Sequence, residues 1–373
     1  MDTTVAKVTA TTRPELISGL SRFARSSTPI GLMLFLLDFL QYAAAIAGVL
    51  LLPALWMKVV AAILAGFKLS NLVVLAHDAA HNTLTASKKL NWLLAVLSLM
   101  PGLFNYRLWC WDHHLLHHPW PNGDHADAFK PLSKAQYDAL PAHRRFLQRL
   151  YRNSWGLGFG VYYTLERWLK VKLWPREGVP ANLRASAWKH FAFLLLYGAL
   201  FNAFLAAAPL YSDTDSLTAV MLGFVLPQFT YMTTVAAVLF LQHTHPDLPW
   251  LATNESSDVY ALPEFLSTQY RVPQWASLLT HGVFDHSVHH AHPRIPCYRV
   301  AEAQAWLNGF SVEPLVSEPL SFIRLHQVLR LCKLYDYEGR RWLDFDGVPT
   351  TPALYLHRAP GRAAVPDPAP SVT

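Results

Sequence analysis

In a chain of 373 residues, 52% are apolar, only 15% are charged, and the mean hydropathy is +0.18. Soluble domains carry nearer ~25% charge, so this composition excludes an ordinary soluble protein and predicts an integral membrane one. The net charge of +6 points to anionic headgroups rather than nucleic acid, because Lys and Arg cluster in loops flanking apolar runs.

Met1 to Ser27 is polar, with Lys7, Arg13, Arg22 and Arg25 and no secretory signal; residues 1–29 are expected to be a cytoplasmic segment. Two apolar runs, Ile30–Leu52 and Trp56–Ala76, follow on either side of Pro53. Each is near the ~20 residues needed to cross a bilayer, which suggests a helical hairpin. Lys68 inside the second run is costly there unless it faces a polar cavity. The run Leu90–Leu108 is broken by Pro101-Gly102, so it reads as a re-entrant pair of half-helices.

Pro119 to Ala187 is basic and reads as a positive-inside loop. Within it, Phe146, Leu147, Leu150 and Tyr151 fall at helical spacing opposite Arg145, Arg149 and Arg152. That pattern fits either a helix in the membrane interface or an amphipathic helix packed on its own domain. Two more spans, Trp188–Leu210 and Leu217–Leu241, are joined by the acidic link Tyr211–Ser216. The expected fold is therefore an all-α integral membrane protein with four transmembrane helices and a cytoplasmic helical cap. Both termini face the cytoplasm and the link lies outside. Residues 30–310 form the membrane domain, 311–351 a cytoplasmic C-terminal region, and 352–373, rich in Pro and Ala, a disordered tail.

The chemistry lies in the histidines. His114, His117 and His118 stand at i, i+3 and i+4, which share one face of an α-helix. The same spacing recurs at His286, His289 and His290, and His77 and His81 stand four apart. His113 also stands four before His117, so either His113 or His114 can supply the ligand; His114 is preferred. One shared centre requires all three boxes on one side of the membrane, which is why Leu90–Leu108 cannot simply cross it. Eight or more histidines exceed what one ion needs and imply two metals. Iron suits imidazole with open positions for oxygen, although affinity alone leaves copper and zinc open. Asp78, Asp112 and Asp285 adjoin the boxes. Each either orients a histidine of another box or is solvated or capping. The remaining histidines, His125, His143, His190, His281, His292, His326 and His357, read as surface or supporting residues. The three cysteines are widely spaced and form no framework.

His77-Asp-Ala-Ala-His81, His114-Leu-Leu-His117-His118 and His286-Ser-Val-His289-His290 resemble the histidine boxes of the membrane fatty acid desaturase and hydroxylase superfamily, over roughly residues 30 to 310. Leu241-Gln-His243-Thr-His245-Pro-Asp-Leu-Pro249 and the later His292-Pro-Arg-Ile-Pro296 are similar to acyl-lipid omega-6 (delta-12) type desaturases. The resemblance implies a non-haem di-iron centre that uses O2 and two supplied electrons to remove hydrogens from a lipid-linked acyl chain. It implies a further ligand after the last span, His243 first and His245 second. It also implies a separate electron donor of ferredoxin or cytochrome b5 type, since nothing in the chain resembles either. Asp78, Ala79 and Asn82 depart from the plant-type first box. Asp78 and Ala79 also occur in carotenoid ketolases, which keeps hydroxylation or ketolation as the alternative. A metal transporter is the distant rival, disfavoured because the boxes lie just beyond the spans.

Overall fold

The computed structural model describes residues 13–119, 121–123, 128–252, 266–310 and 316–354. The expected tail from residue 355 onward, His125, His357 and residues 1–12 lie outside the described residues.

Among the described residues, four helices are long and apolar enough to cross a membrane: Thr28–Leu51, Leu55–Ala80, Ala181–Ala206 and Ser216–His243. They coincide with the four expected spans, but three run further. The second and fourth continue past their apolar runs to Ala80 and His243, and the third begins at Ala181, ahead of Trp188. Hydropathy stops where polar residues begin, whereas the helical backbone hydrogen bonding runs on through them. Pro29 sits at the start of the first helix, where its missing N–H costs nothing, and Pro53 stands between the first two.

The second span is the centre of the fold, packing against the first, the fourth and the re-entrant segment. Gly66 permits the closest approach: a Cβ there would lie 2.5 Å from Thr230 Cβ and 2.8 Å from the Pro227 carbonyl oxygen of the fourth span. Lys68, awkward in the sequence, is ion-paired at 2.9 Å with Asp38 of the first span. At the far end of the same helix Lys58 donates to Thr214 Oγ1, whose hydroxyl donates to Leu50 O at 2.7 Å, tying the Tyr211–Ser216 link to the first hairpin.

The Leu90–Leu108 run is two half-helices. Ser87 caps Lys88–Leu99 by accepting from Leu90 N. The chain reverses at Pro101-Gly102, with Leu103 at φ +53. Asn105 then caps Tyr106–Cys110 by accepting from Arg107 N. This reversal brings the second histidine box to the end of the second span where His77 and His81 lie.

The expectation of an all-α chain is corrected by two small ribbons. Thr268–Arg271 pairs in parallel with Val316–Pro319, in the register Thr268 to Val316, and Leu334–Asp336 pairs antiparallel with Arg341–Leu343. Short extended segments escape a reading based on long apolar runs. Here pairing satisfies backbone groups that burial would otherwise leave without partners. The ribbons also bind residues on either side of 310 into one body: Trp342 is fully buried and donates from Nε1 to His245 O at 2.9 Å. The amphipathic helix Ala142–Tyr151 buries Tyr151 but leaves Phe146 67% exposed. It packs on its own domain through one edge and offers the other outward.

Candidate metal centre

Among the described residues, nine imidazoles converge in two groups. His77, His81, His113, His118 and His289 form one; His117, His243, His286 and His290 form the other. Within each group the ring nitrogens that face each other all lie within 4.8 Å. In the first, Nε2 atoms stand 2.9 Å apart for His77 and His289, and 3.0 Å for His81 and His113, His113 and His118, and His118 and His289. In the second, His286 Nε2 is 3.0 Å from His243 Nε2 and 2.9 Å from His290 Nε2.

These separations carry chemical information. Neutral imidazoles each have one N–H, so several Nε2 atoms in mutual contact cannot all be satisfied by protons. Two nitrogens each ~2.1 Å from a common ion at right angles would stand ~3 Å apart. The donor sets thus fit two metal ions, one that five imidazoles would hold and one that four would hold.

Burial reinforces the fit. Desolvation first, then the fields of neighbouring histidines, hold His81, His113, His286, His289 and His290 well below the ordinary imidazole range, and His118 falls to about 2. All six are neutral at pH 7 and keep a lone pair for a metal.

Of the two alternatives in the second box, His113 stands in the first group, and His114, the preferred one, lies outside both groups. The reason is local: Trp111–His117 is a π-helix, and His118 N–H donates to His113 O at 3.1 Å, an i to i+5 bond. The wider turn puts His113 and His118 together and swings His117 toward the other group, a periodicity that the α-helical i, i+3, i+4 rule does not describe. His114 stays close, its ring 4.4 Å from that of His81, with Nε2 buried and without a hydrogen-bond partner among the described residues.

The other expected residues fall as follows. His243 joins the second group, while His245 does not: it faces Glu318 Oε1 at 3.2 Å and accepts from Asp247 N at 3.1 Å. Asp78 contacts the histidine beside it, His77 Nδ1 at 3.2 Å, rather than one of another box, and its other oxygen accepts from Cys297 N–H at the start of the helix Cys297–Leu307. Asp112 pairs with Arg167, at 2.8 Å, and with Lys172, all three buried. Asp285 accepts from Gln269 Nε2 at 3.0 Å, and burial raises its carboxyl to about 6.

Asn122 was not legible as a site residue. His243 Nδ1–H donates to Asn122 Oδ1 at 3.0 Å, which turns Nε2 toward the group, and the Asn122 amide donates to His243 O and Pro249 O. The only signal was Pro121-Asn122-Gly123, a turn sequence just after the second box; Asn122 adopts φ +56.

An apolar cavity of about 540 Å³ ends at the groups, touching His77, His113, His117, His286 and His289. Leu64, Phe67, Val74, Val235, Val238 and Leu239 of the second and fourth spans line it. Such a volume holds a small or chain-like apolar ligand.

Comparison with known proteins identifies the family. The sequence profile described as Fatty acid desaturase matches residues 53–317. A chloroplastic omega-6 fatty acid desaturase of Spinacia oleracea is 26% identical over 74% of this chain and 58% of its own length. An sn-1 oleoyl-lipid 12-desaturase of Picosynechococcus is 26% identical over 74% of this chain and 76% of its own. A fatty acid desaturase of Bacillus subtilis is 26% identical over 93% and 91%. The chain thus spans just over half of the spinach relative and nearly all of the Bacillus one. With the profile covering all three histidine boxes, the chain belongs to the fatty acid desaturase family.

Proposed function

We propose that the protein desaturates a lipid-linked acyl chain, using two iron ions and O2, and that it places a second double bond near carbon 12 of a monounsaturated chain. The observation that carries this is the meeting of two groups of neutral imidazoles with the end of an apolar cavity between two spans. The names of the omega-6 and oleoyl-lipid 12 relatives support the regiochemistry.

His77, His81, His113, His118 and His289 would hold one ion, and His117, His243, His286 and His290 the other. Iron held there would supply redox chemistry in which O2, two external electrons, two protons and two hydrogens from adjacent methylenes end as two waters and a double bond. The chain's own residues supply position and dryness. Val74, Val235, Val238 and Leu239 hold the methylenes against the histidines and exclude water. Asn122 fixes the His243 ring, and the Asp112, Arg167 and Lys172 cluster fixes the π-helix that carries the second box. The electron donor is a separate protein of ferredoxin or cytochrome b5 type, and the boxes and termini face the cytoplasm.

Hydroxylation or carotenoid ketolation remains the second reading, motivated by Asp78-Ala79 in the first box. Expression in a host whose lipids hold saturated and monounsaturated C16 and C18 chains decides between them. Gas chromatography of methyl esters should reveal dienoic acids. Hydroxy acids, or an unchanged profile with altered carotenoids in a carotenoid-producing host, would overturn desaturation.

A further inference from the structure

Ahead of the third histidine box, residues 272–284 carry no Lys, Arg, Asp or Glu. Within them Gln274–Leu279 is a short helix with no fully buried residue: Trp275 is 66%, Leu278 70% and Leu279 58% exposed. Two observations place this face in lipid. The first is depth. His281 contacts Asp38 of the first span, and Leu279 O accepts from Asn71 Nδ2 of the second at 2.8 Å. Exposed apolar side chains of the first span run from Ile30 to Leu51, about 32 Å by helix rise and close to the ~30 Å of a bilayer's hydrocarbon. Asp38 lies about 12 Å inside the Ile30 end, so the short helix abuts the spans within this belt and not beyond it. The second observation is the backbone. A helix leaves its last four carbonyls without intrahelical partners, and in hydrocarbon no water can take them. Here the protein meets all four. Ala276 O accepts from Thr280 N–H and Oγ1 at 3.1 and 2.8 Å, and Ser277 O from Gly282 N–H at 2.8 Å. Leu278 O accepts from His281 N–H at 3.4 Å, and Leu279 O from Asn71. His281 and Gly282 take φ of +52 and +67 to close the turn.

We propose that Gln274–Leu279 lies in the hydrocarbon of the leaflet on the histidine side, and that it is the lip past which an acyl chain of that leaflet slides into the cavity. Trp275, Leu278 and Leu279 then face the bilayer's own chains. Leu279 lines the cavity together with Leu64 and Phe67, which are exposed on the second span, so the short helix and the span flank a side opening. An uncharged face continuous with the apolar belt of the spans suits lipid chains better than a protein partner, whose contact would carry a polar rim. The inference rests on the acyl-desaturase reading for the identity of the chain and adds its source. The substrate is a lipid already in the membrane, entering by its apolar end while its head stays at the surface, and not an acyl group delivered from water.

The test uses full-length, iron-loaded wild-type protein in phosphatidylcholine vesicles, so that no variant has to fold. The vesicles contain one of two photoreactive phosphatidylcholines, with a diazirine either midway along an acyl chain or on the headgroup, and adducts are mapped by peptide mass spectrometry. The chain probe should label 274–279 within about threefold of its yield on 33–37 of the first span, and about tenfold above its yield on the exposed helix Lys134–Asp138. It should also label Val235 and Val238 inside the cavity. The headgroup probe should label 274–279 no more than Lys134–Asp138. Labelling of 274–279 by the headgroup probe instead would put the helix at the surface and overturn the proposal. Silence with both probes, the result of a second copy or a partner protein covering the face, would overturn it too. Adducts on the helix with none at Val235 and Val238 would overturn its role as an entry lip. Chain adducts at both places, with no dienoic acid made in the expression host, would sink the desaturase reading and leave the lip standing.

Discussion

The sharpest test of the centre is the contrast between His113→Ala and His114→Ala, neighbours that an α-helical and a π-helical box assign oppositely. His113 Nε2 stands 3.0 Å from both His81 and His118, inside the five-membered group. Removing it deletes a direct ligand. Loss of a residue that merely orients a ligand already costs about 10–100-fold in metal affinity, and loss of the ligand itself should cost more. His114 makes no such contact, and its Nε2 is a buried acceptor or donor without a partner among the described residues. Truncating it gives back part of the ~1–3 kcal/mol penalty for an unsatisfied polar atom while opening a small void, so the net change should be within about 1 kcal/mol. Purified variants are analysed for iron per protein by plasma mass spectrometry, and for dienoic acids in the expression host. His113→Ala should fall from about two irons to one and lose turnover; His114→Ala should keep both. An iron-replete, active His113→Ala beside an iron-depleted His114→Ala would refute the π-helical assignment and restore the i, i+3, i+4 reading.

His117→Ala, His118→Ala, His289→Ala and His290→Ala should each abolish product and lower bound iron while the protein remains in the membrane fraction; full activity in any of them removes that residue from the centre. Asn122→Ala should keep the fold yet lower iron affinity by about 10–100-fold by freeing the His243 ring, checked by competition with a chelator. Gly66→Leu should destabilise strongly, since even its Cβ would meet Thr230 and Pro227 O inside contact distance; a melting temperature within a degree or two of wild type would contradict the packing. Labelling a cysteine placed at Asp213 from outside intact cells, with none at Lys134, is the expected topology, and outside labelling at Lys134 reverses it.

The spans were legible because they are long and uninterrupted in hydropathy, and Pro101-Gly102 in the middle of an apolar run sufficed to mark a chain reversal. The histidines of the first and third boxes were legible for a similar reason: His77 and His81, and His286 and His290, are spaced four apart on regular helix. The second box left His113 and His114 as alternatives because nothing in Trp111–His117 announces a π-helix. That choice is made by contacts far away in sequence, as are the pairing of Lys68 with Asp38 and the hold of Asn122 on His243. A window of local residues carries periodicity, but not the partner that decides which periodicity wins.

The second π-helical stretch shows how that decision is made. In Tyr163–Lys172, Arg167 and Lys172 stand five apart, a spacing that would diverge on an α-helix and comes together on a wider turn. Both reach the same carboxylate, Asp112, near the start of the other π-helix, and all three groups are buried. A buried carboxylate with a single cation would bear much of its desolvation cost; two cations and three short contacts offset it. Neither distortion is favourable alone, since π turns are rare and short. Together they fix one another: Asp112 holds Arg167 and Lys172 on one face, and the pair holds the turn that aims His113 and His118 at one group and His117 at the other. The aim of the box therefore depends on residues about fifty positions downstream, and a change at Arg167 should disturb the histidines without touching them.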